Sequence, residues 1–189
     1  MDNSQVEGLG TPGVPLGGVL TVQSAEPPTY SATANAFVPI ATAATDVFTI
    51  SGSATKIIRI HKVRVSATTT SGSAIKLTVA AIKRSTANVG GTSAVVANVS
   101  HDSLDAAGTA VARSYTANPT TLGTAVGTVR GDATSVAANG ILNILEWIFN
   151  DVTSKPLVLR GVAENFCINF GGASITGPVA SVSVEWSEV

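Results

Sequence analysis

The stretch Lys56-Ile57-Ile58-Arg59-Ile60-His61-Lys62-Val63-Arg64-Val65 decides the fold class. Apolar and polar residues alternate in it with a period near two, the spacing of a strand buried on one face. The alternation slips at His61-Lys62. Ile58 and Ile60 share a face, whereas Val63 and Val65 would point the other way in a regular strand. A β-bulge there inserts one residue and returns all four to a single buried face.

Working outward, Val47-Phe48-Thr49-Ile50 precedes this strand and Ser51-Gly52-Ser53-Ala54 forms the turn between them. A second copy of that turn, Ser71-Gly72-Ser73-Ala74, leads into Ile75-Lys76-Leu77-Thr78-Val79-Ala80-Ala81, where Ile75, Leu77, Val79 and Ala81 occupy one face. Two copies of one turn predict a meander and not a repeat array. Asn88-Val89-Gly90-Gly91-Thr92 reads as a turn, with weaker strands over 95–99, 110–115 and 123–130 and a break at Thr116-Ala117-Asn118-Pro119-Thr120. Ile141 to Phe149 is the most apolar run. Its Leu and Glu suit a short helix, but Ile and Phe in a β-rich chain favour a central strand. Strands follow at Lys155 to Leu159 and at Glu164 to Phe170, the latter with Phe166, Ile168 and Phe170 on one face. The last, Ala180 to Ser187, turns Val182, Val184 and Trp186 inward. Some eight or more short strands separated by turns predict an all-β chain, a single β-sandwich of jelly-roll type, over residues 46–189. Its expected core includes Ile58, Ile60, Leu77, Val79, Trp147, Phe166, Val184 and Trp186.

Residues 1–45 read differently. They hold five of the eight prolines and no Lys or Arg. Gly10-Thr11-Pro12-Gly13-Val14-Pro15-Leu16-Gly17-Gly18 cannot be helical, because prolines remove donors and glycines raise the entropic cost of order. We expect an extended Pro/Gly arm over 1–45, and the strand-like Val19-Leu20-Thr21-Val22 suits an arm lying along a neighbouring subunit.

Composition narrows the function. The 189 residues carry 11 basic and 12 acidic side chains, for a net charge of −1, and charged residues make up only 12%. Hydrophobic content of 44% excludes a disordered, highly charged chain. No run approaches the ~20 apolar residues of a membrane-spanning helix, and the start lacks the pattern of a secretory signal. With Cys167 alone, an intrachain disulfide or a Cys-rich metal site is excluded; a buried, inert thiol is expected.

The residue types of catalysis are present but not arranged for it. Ser100-His101-Asp102 holds triad residues, yet adjacent strand residues face opposite ways and cannot relay a proton. His101, Asp102 and Asp105 could ligate a metal, but loop aspartates more often form Asx turns. Asp102, Asp105, Asp132, Glu146 and Glu164 could serve glycoside hydrolysis only if two of them faced across a groove, and aromatics for a sugar platform are scarce at 5% of the chain. We therefore expect no enzyme, no cofactor and no metal.

One charge feature stands out. Lys56, Arg59, Lys62, Arg64, Lys76, Lys83 and Arg84 include seven of the eleven cations, with no acid between residues 56 and 84. On antiparallel neighbours they would form a basic stripe. Such a stripe is either an ordinary solvated sheet face or a surface that docks on an acidic protein lattice. Nucleic acid is not expected, because no aromatics are interleaved for base stacking.

Arg84-Ser85-Thr86-Ala87-Asn88-Val89-Gly90-Gly91-Thr92, His101-Asp102 and Ser114-Tyr115-Thr116-Ala117-Asn118-Pro119 resemble segments of a group of tailed-bacteriophage virion proteins. The opening Gly10 to Val19 is similar to the Gly/Pro arms that such proteins often carry. The resemblance spans most of the chain and implies a structural component of the particle, with no catalytic residues to carry over. The implied role is a decoration (auxiliary or cement) protein on the capsid exterior that bridges shell subunits; the alternative is a tail or fibre component whose loops 85–109 and 116–140 bind a host receptor. The expected partners are the major capsid protein or other virion proteins and further copies of the chain, with a trimer favoured by a three-fold lattice site. The expected location is the particle surface, after synthesis in the host cytoplasm. Candidate interaction residues are Pro12, Pro15, Val19 and Leu20 in the arm, and Lys56, Arg59, Arg64, Lys76, Lys83 and Arg84 in the stripe.

Overall fold

The computed structural model describes residues 26–37, 44–69, 76–134, 140–149, 155–171 and 178–189. These form twelve strands and no helix: β1 (Thr29–Phe37), β2 (Ala44–Ser51), β3 (Ile57–Thr69), β4 (Lys76–Arg84), β5 (Thr92–Val96), β6 (Asn98–Ser100), β7 (Val111–Ala117), β8 (Ala125–Thr134), β9 (Leu145–Ile148), β10 (Leu157–Arg160), β11 (Asn165–Gly171) and β12 (Pro178–Glu188). They assemble into two antiparallel sheets packed against each other, a β-sandwich. Sheet I runs β10-β3-β12-β1-β6, and β9 pairs with β3 as well. Sheet II runs β5-β7-β2-β11-β4-β8.

The bulge expected in the deciding strand is present. Glu185 pairs with Lys62 while Trp186 pairs with Ile60, so His61 is the extra residue. Ile58, Ile60, Val63 and Val65 are all buried as a result. The bulge also divides the far edge of β3. Residues 57–60 pair with β10 and residues 62–65 with β9, so two short strands share one edge end to end.

The core lies between the sheets. Val182, Val184 and Trp186 of β12 meet Phe166, Ile168 and Phe170 of β11 and Leu77 and Val79 of β4 in one cluster. Each large side chain fully buried here contributes about 1.5–3 kcal/mol by leaving water. Tyr30 stacks on Trp186 with ring centroids 5.8 Å apart.

Three expectations are corrected. Residues 1–45 are not all arm: residues 29–37 form β1, which lies between β12 and β6 and buries Tyr30, Ala32 and Ala34. β2 likewise begins at Ala44. The small residues Ala and Thr gave β1 a weak pattern, yet sheet pairing on both sides fixes it. The meander also fails, because β2 and β4 belong to sheet II and β3 to sheet I. The first Ser-Gly-Ser-Ala turn therefore crosses between sheets; the second lies outside the described residues. Finally, the run 141–149 holds only the four-residue β9, in which Trp147 is half-buried and Ile148 exposed. It borders β3 and is not a central strand.

Residues 85–124, between β4 and β8, straddle one side of the sandwich. Their β6 extends sheet I beside β1, while β5 and β7 extend sheet II beside β2.

Candidate interaction surface

The seven cations expected to form one stripe fall on two sheets. Lys76 opens β4 in sheet II and meets Asp132 at 2.8 Å. Lys83 bonds Glu164 at 3.1 Å and donates to the Val158 carbonyl at 2.8 Å, tying sheet II to β10. Arg84 is buried. Its guanidinium grips the Asp46 carboxylate with two bonds of 2.7 and 2.8 Å and donates to the Gly123 carbonyl at 2.6 Å. Asn88 and Asn169 also donate to Asp46. This network anchors both ends of the 85–124 excursion and leaves Arg84 no free donor face for a partner. Arg84 is therefore a structural residue out of a partner's reach, and Lys83 is ion-paired and partly exposed. Alternation along a strand reports which face a residue takes; it is silent on which sheet the strand joins.

Arg59, Lys62 and Arg64 remain together on β3, with Lys56 in the connection just before it. They lie on the outer face of sheet I, opposite the core-facing Ile60, Val63 and Val65. Across that face the register sets Ser31, Glu185, Lys62 and Ile148 in one row, and Thr33, Ser183, Arg64 and Glu146 in the next. Lys62 is shared between Glu185 at 3.5 Å and Glu146 at 3.8 Å. Among the described residues Arg59 and Arg64 pair with no carboxylate. Ser66, Ser181, Ser183 and Thr33 surround Arg64 in a shallow trough of about 360 Å³. The result is a flat face of short hydroxyl side chains on which Lys62, Glu185 and Glu146 form the ion pairs and Arg59 and Arg64 form none among the described residues.

His61 borders this face at the bulge, where its Nε2 and the Ser187 hydroxyl lie 2.8 Å apart. Burial and the neighbouring Arg59 lower its pKa, and Glu185 offsets only part of that.

The remaining chemical candidates are dispersed. Asp102 accepts from the Leu104 amide at 2.9 Å, the Asx turn expected of it. Asp132 is held below its ordinary pKa by hydrogen bonds from Lys76 and Thr78. Burial raises the pKa of Glu164, but bonds from the Arg160 amide and Lys83 outweigh it and the net shift is downward. A general acid needs the opposite shift. Glu146 lies on sheet I and Asp132 on sheet II. Cys167 is fully buried and its thiol pKa is pushed well up by burial and by Asp46. Among the described residues no three His, Cys, Asp or Glu side chains converge to hold a metal ion. Pro12, Pro15, Val19 and Leu20 lie outside the described residues.

Two sites escaped the sequence reading. Glu188 receives the Thr109 and Ala110 amides, the Thr109 hydroxyl and the Trp186 indole N–H, at 2.6–3.0 Å. Asp46 collects Arg84, Asn88 and Asn169. Both join residues far apart in the chain, and no local spacing marks them.

No family model, no curated protein and no solved structure matches this chain.

Proposed function

We propose that the chain is a structural protein of a tailed-bacteriophage virion that decorates the capsid exterior, docking through the outer face of sheet I. The observation that carries this reading is the pair Arg59 and Arg64. Among the described residues neither forms an ion pair, although Glu146 lies opposite Arg64 in the register, and both stand on a flat sheet face rich in hydroxyls that a broad acidic surface can approach without displacing buried side chains. Each contact is modest, and many copies on one shell compound them. The strand order supports a jelly-roll reading: β1-β12-β3-β10 in one sheet and β2-β11-β4-β8 in the other, each with a late strand inserted between two early ones. Capsid domains are among the proteins built this way, an analogy of fold and not of site. The chemistry of the reading is adhesion, with no bond made or broken.

The test is co-sedimentation with phage shells lacking the protein. Binding should weaken as salt rises, because exposed charge pairs are screened. Arg59→Glu together with Arg64→Glu should abolish it while the thermal melt stays unchanged. Full occupancy by the double variant would refute the docking face.

The second reading, a tail or fibre component that binds a host receptor, is favoured by the 85–124 excursion. It exposes Leu104 at 92%, Val95 at 64% and Val99 at 59%. Labelling intact particles separates the two, on the head or at the tail tip.

A further inference from the structure

We propose that the outer edge of β8 is a self-recognition edge, which pairs antiparallel with β8 of a second copy about a two-fold axis through Val129. β8 is ten residues long and, among the described residues, pairs with no strand but β4. Long unpaired edges are templates for further strands, and proteins blunt them with bulges, charges or covering groups. Here both ends are blunted and the middle is not. At one end Val126 is an extra residue in the ladder, since Gly127 pairs with Lys83 and Ala125 with Arg84. At the other, Asn143 covers the edge. Its side-chain oxygen accepts from the Thr134 amide, its own amide donates to the Thr134 carbonyl, and its side-chain nitrogen donates to the Asp132 carbonyl.

Those bonds also reveal the parity of the edge. Asp132 and Thr134 turn their backbone groups away from β4, and the ladder is regular from Gly127 to Thr134. Thr128 and Arg130 therefore present their N–H and C=O groups outward as well. Among the described residues what remains open is Gly127-Thr128-Val129-Arg130-Gly131, and a second copy can lie antiparallel along it. Centred on Val129, Gly127 faces Gly131 of the second copy, Thr128 faces Arg130, and Val129 faces Val129. Thr128 and Arg130 then exchange four backbone hydrogen bonds across the axis. Val129, exposed at 48%, forms a non-hydrogen-bonded pair, the geometry with the closest side chains. Moving the axis to Arg130 would place two guanidinium groups directly opposite. Moving it to Gly131 would need the Asp132 and Thr134 groups that Asn143 occupies. The register is thus selected. The contact is isologous and closes on itself; it joins two copies and does not build the three-membered ring expected of a shell site.

The test uses the full-length protein. One short strand pair implies a monomer–dimer equilibrium on the order of 100 μM, visible by sedimentation velocity. Thr128→Pro removes an outward N–H that β4 does not use, so the melt should persist and the dimer vanish. Val129→Cys should cross-link under mild oxidation about ten times faster than Leu104→Cys, an exposed control, because only the former meets its own copy at disulfide distance. Gly127→Cys, facing Gly131, should match the control. The buried Cys167 contributes no background. A protein that stays monomeric at millimolar concentration, or equal cross-linking of the Val129 and Leu104 variants, would overturn the proposal.

Discussion

At the scale of single residues, the strongest dependence falls on buried charge. Asp46 is fully buried and Arg84 nearly so. Removing one partner strands the other, so Asp46→Asn should destabilise the fold by about 3–5 kcal/mol in urea denaturation. Replacing both with apolar residues of similar volume should recover most of that loss. Glu188 carries the pH dependence. Burial alone raises its pKa, but hydrogen bonds from Thr109, Ala110 and Trp186 more than offset this, and the net shift is downward. A carboxylate depressed in the folded state contributes stability that is complete above its unfolded pKa and is lost as pH falls through the folded value. Glu188→Gln should therefore cost about 1–2 kcal/mol at neutral pH and flatten the acid limb of stability against pH. His61 acts in the same direction, at higher pH. Its folded pKa lies below the ordinary 6.5, so the unfolded chain takes up the proton first and stability falls as pH drops below that value.

At the scale of elements, the bulge in β3 and the anchorage of the 85–124 excursion are the features a variant can break cleanly. Deleting His61 removes the extra residue and sets Ile58, Ile60, Val63 and Val65 in strict alternation, so a regular strand without the bulge keeps all four on the buried face. Cooperative unfolding, followed by near-UV circular dichroism, should survive both that deletion and His61→Ala, which keeps the residue count. Gly123 meets the Thr86 carbonyl so closely that an added Cβ would lie 1.9 Å from its oxygen. Gly123→Ala must displace backbone and with it the carbonyl that Arg84 bonds. We expect a loss of about 1–3 kcal/mol and faster amide exchange across 85–92 and 117–124, with the core strands unchanged. The sequence announced the β3 bulge because a slip in a period-two pattern is local information. It gave no warning that the 141–149 run yields only a four-residue strand, because exposure of Ile144 and Ile148 depends on what β3 leaves uncovered.

At the scale of the whole molecule, the chain order of the strands is not their spatial order, and truncations make that visible. Removal of residues 1–25 leaves every described strand in place and should preserve a cooperative melt. Removal of residues 1–45 takes away β1, two residues of β2 and the partner of β12, and should leave no cooperative transition. These outcomes would place the boundary of the foldable unit before Thr29 and not at Asp46. The class of structure is legible in the residues alone: strands marked by alternation, the slip that becomes a bulge, the apolar faces of β4, β11 and β12, and a surface poor in charge. These follow from contacts between residues two apart, which a linear reading sees. Which sheet each strand joins is settled in three dimensions, and with it that Arg59 and Arg64 of β3 form no ion pair among the described residues while Lys62, Lys76, Lys83 and Arg84 are paired or buried. The physical reason is that sheet membership and charge pairing are set by partners tens of residues away, through backbone hydrogen bonds that are identical for every sequence.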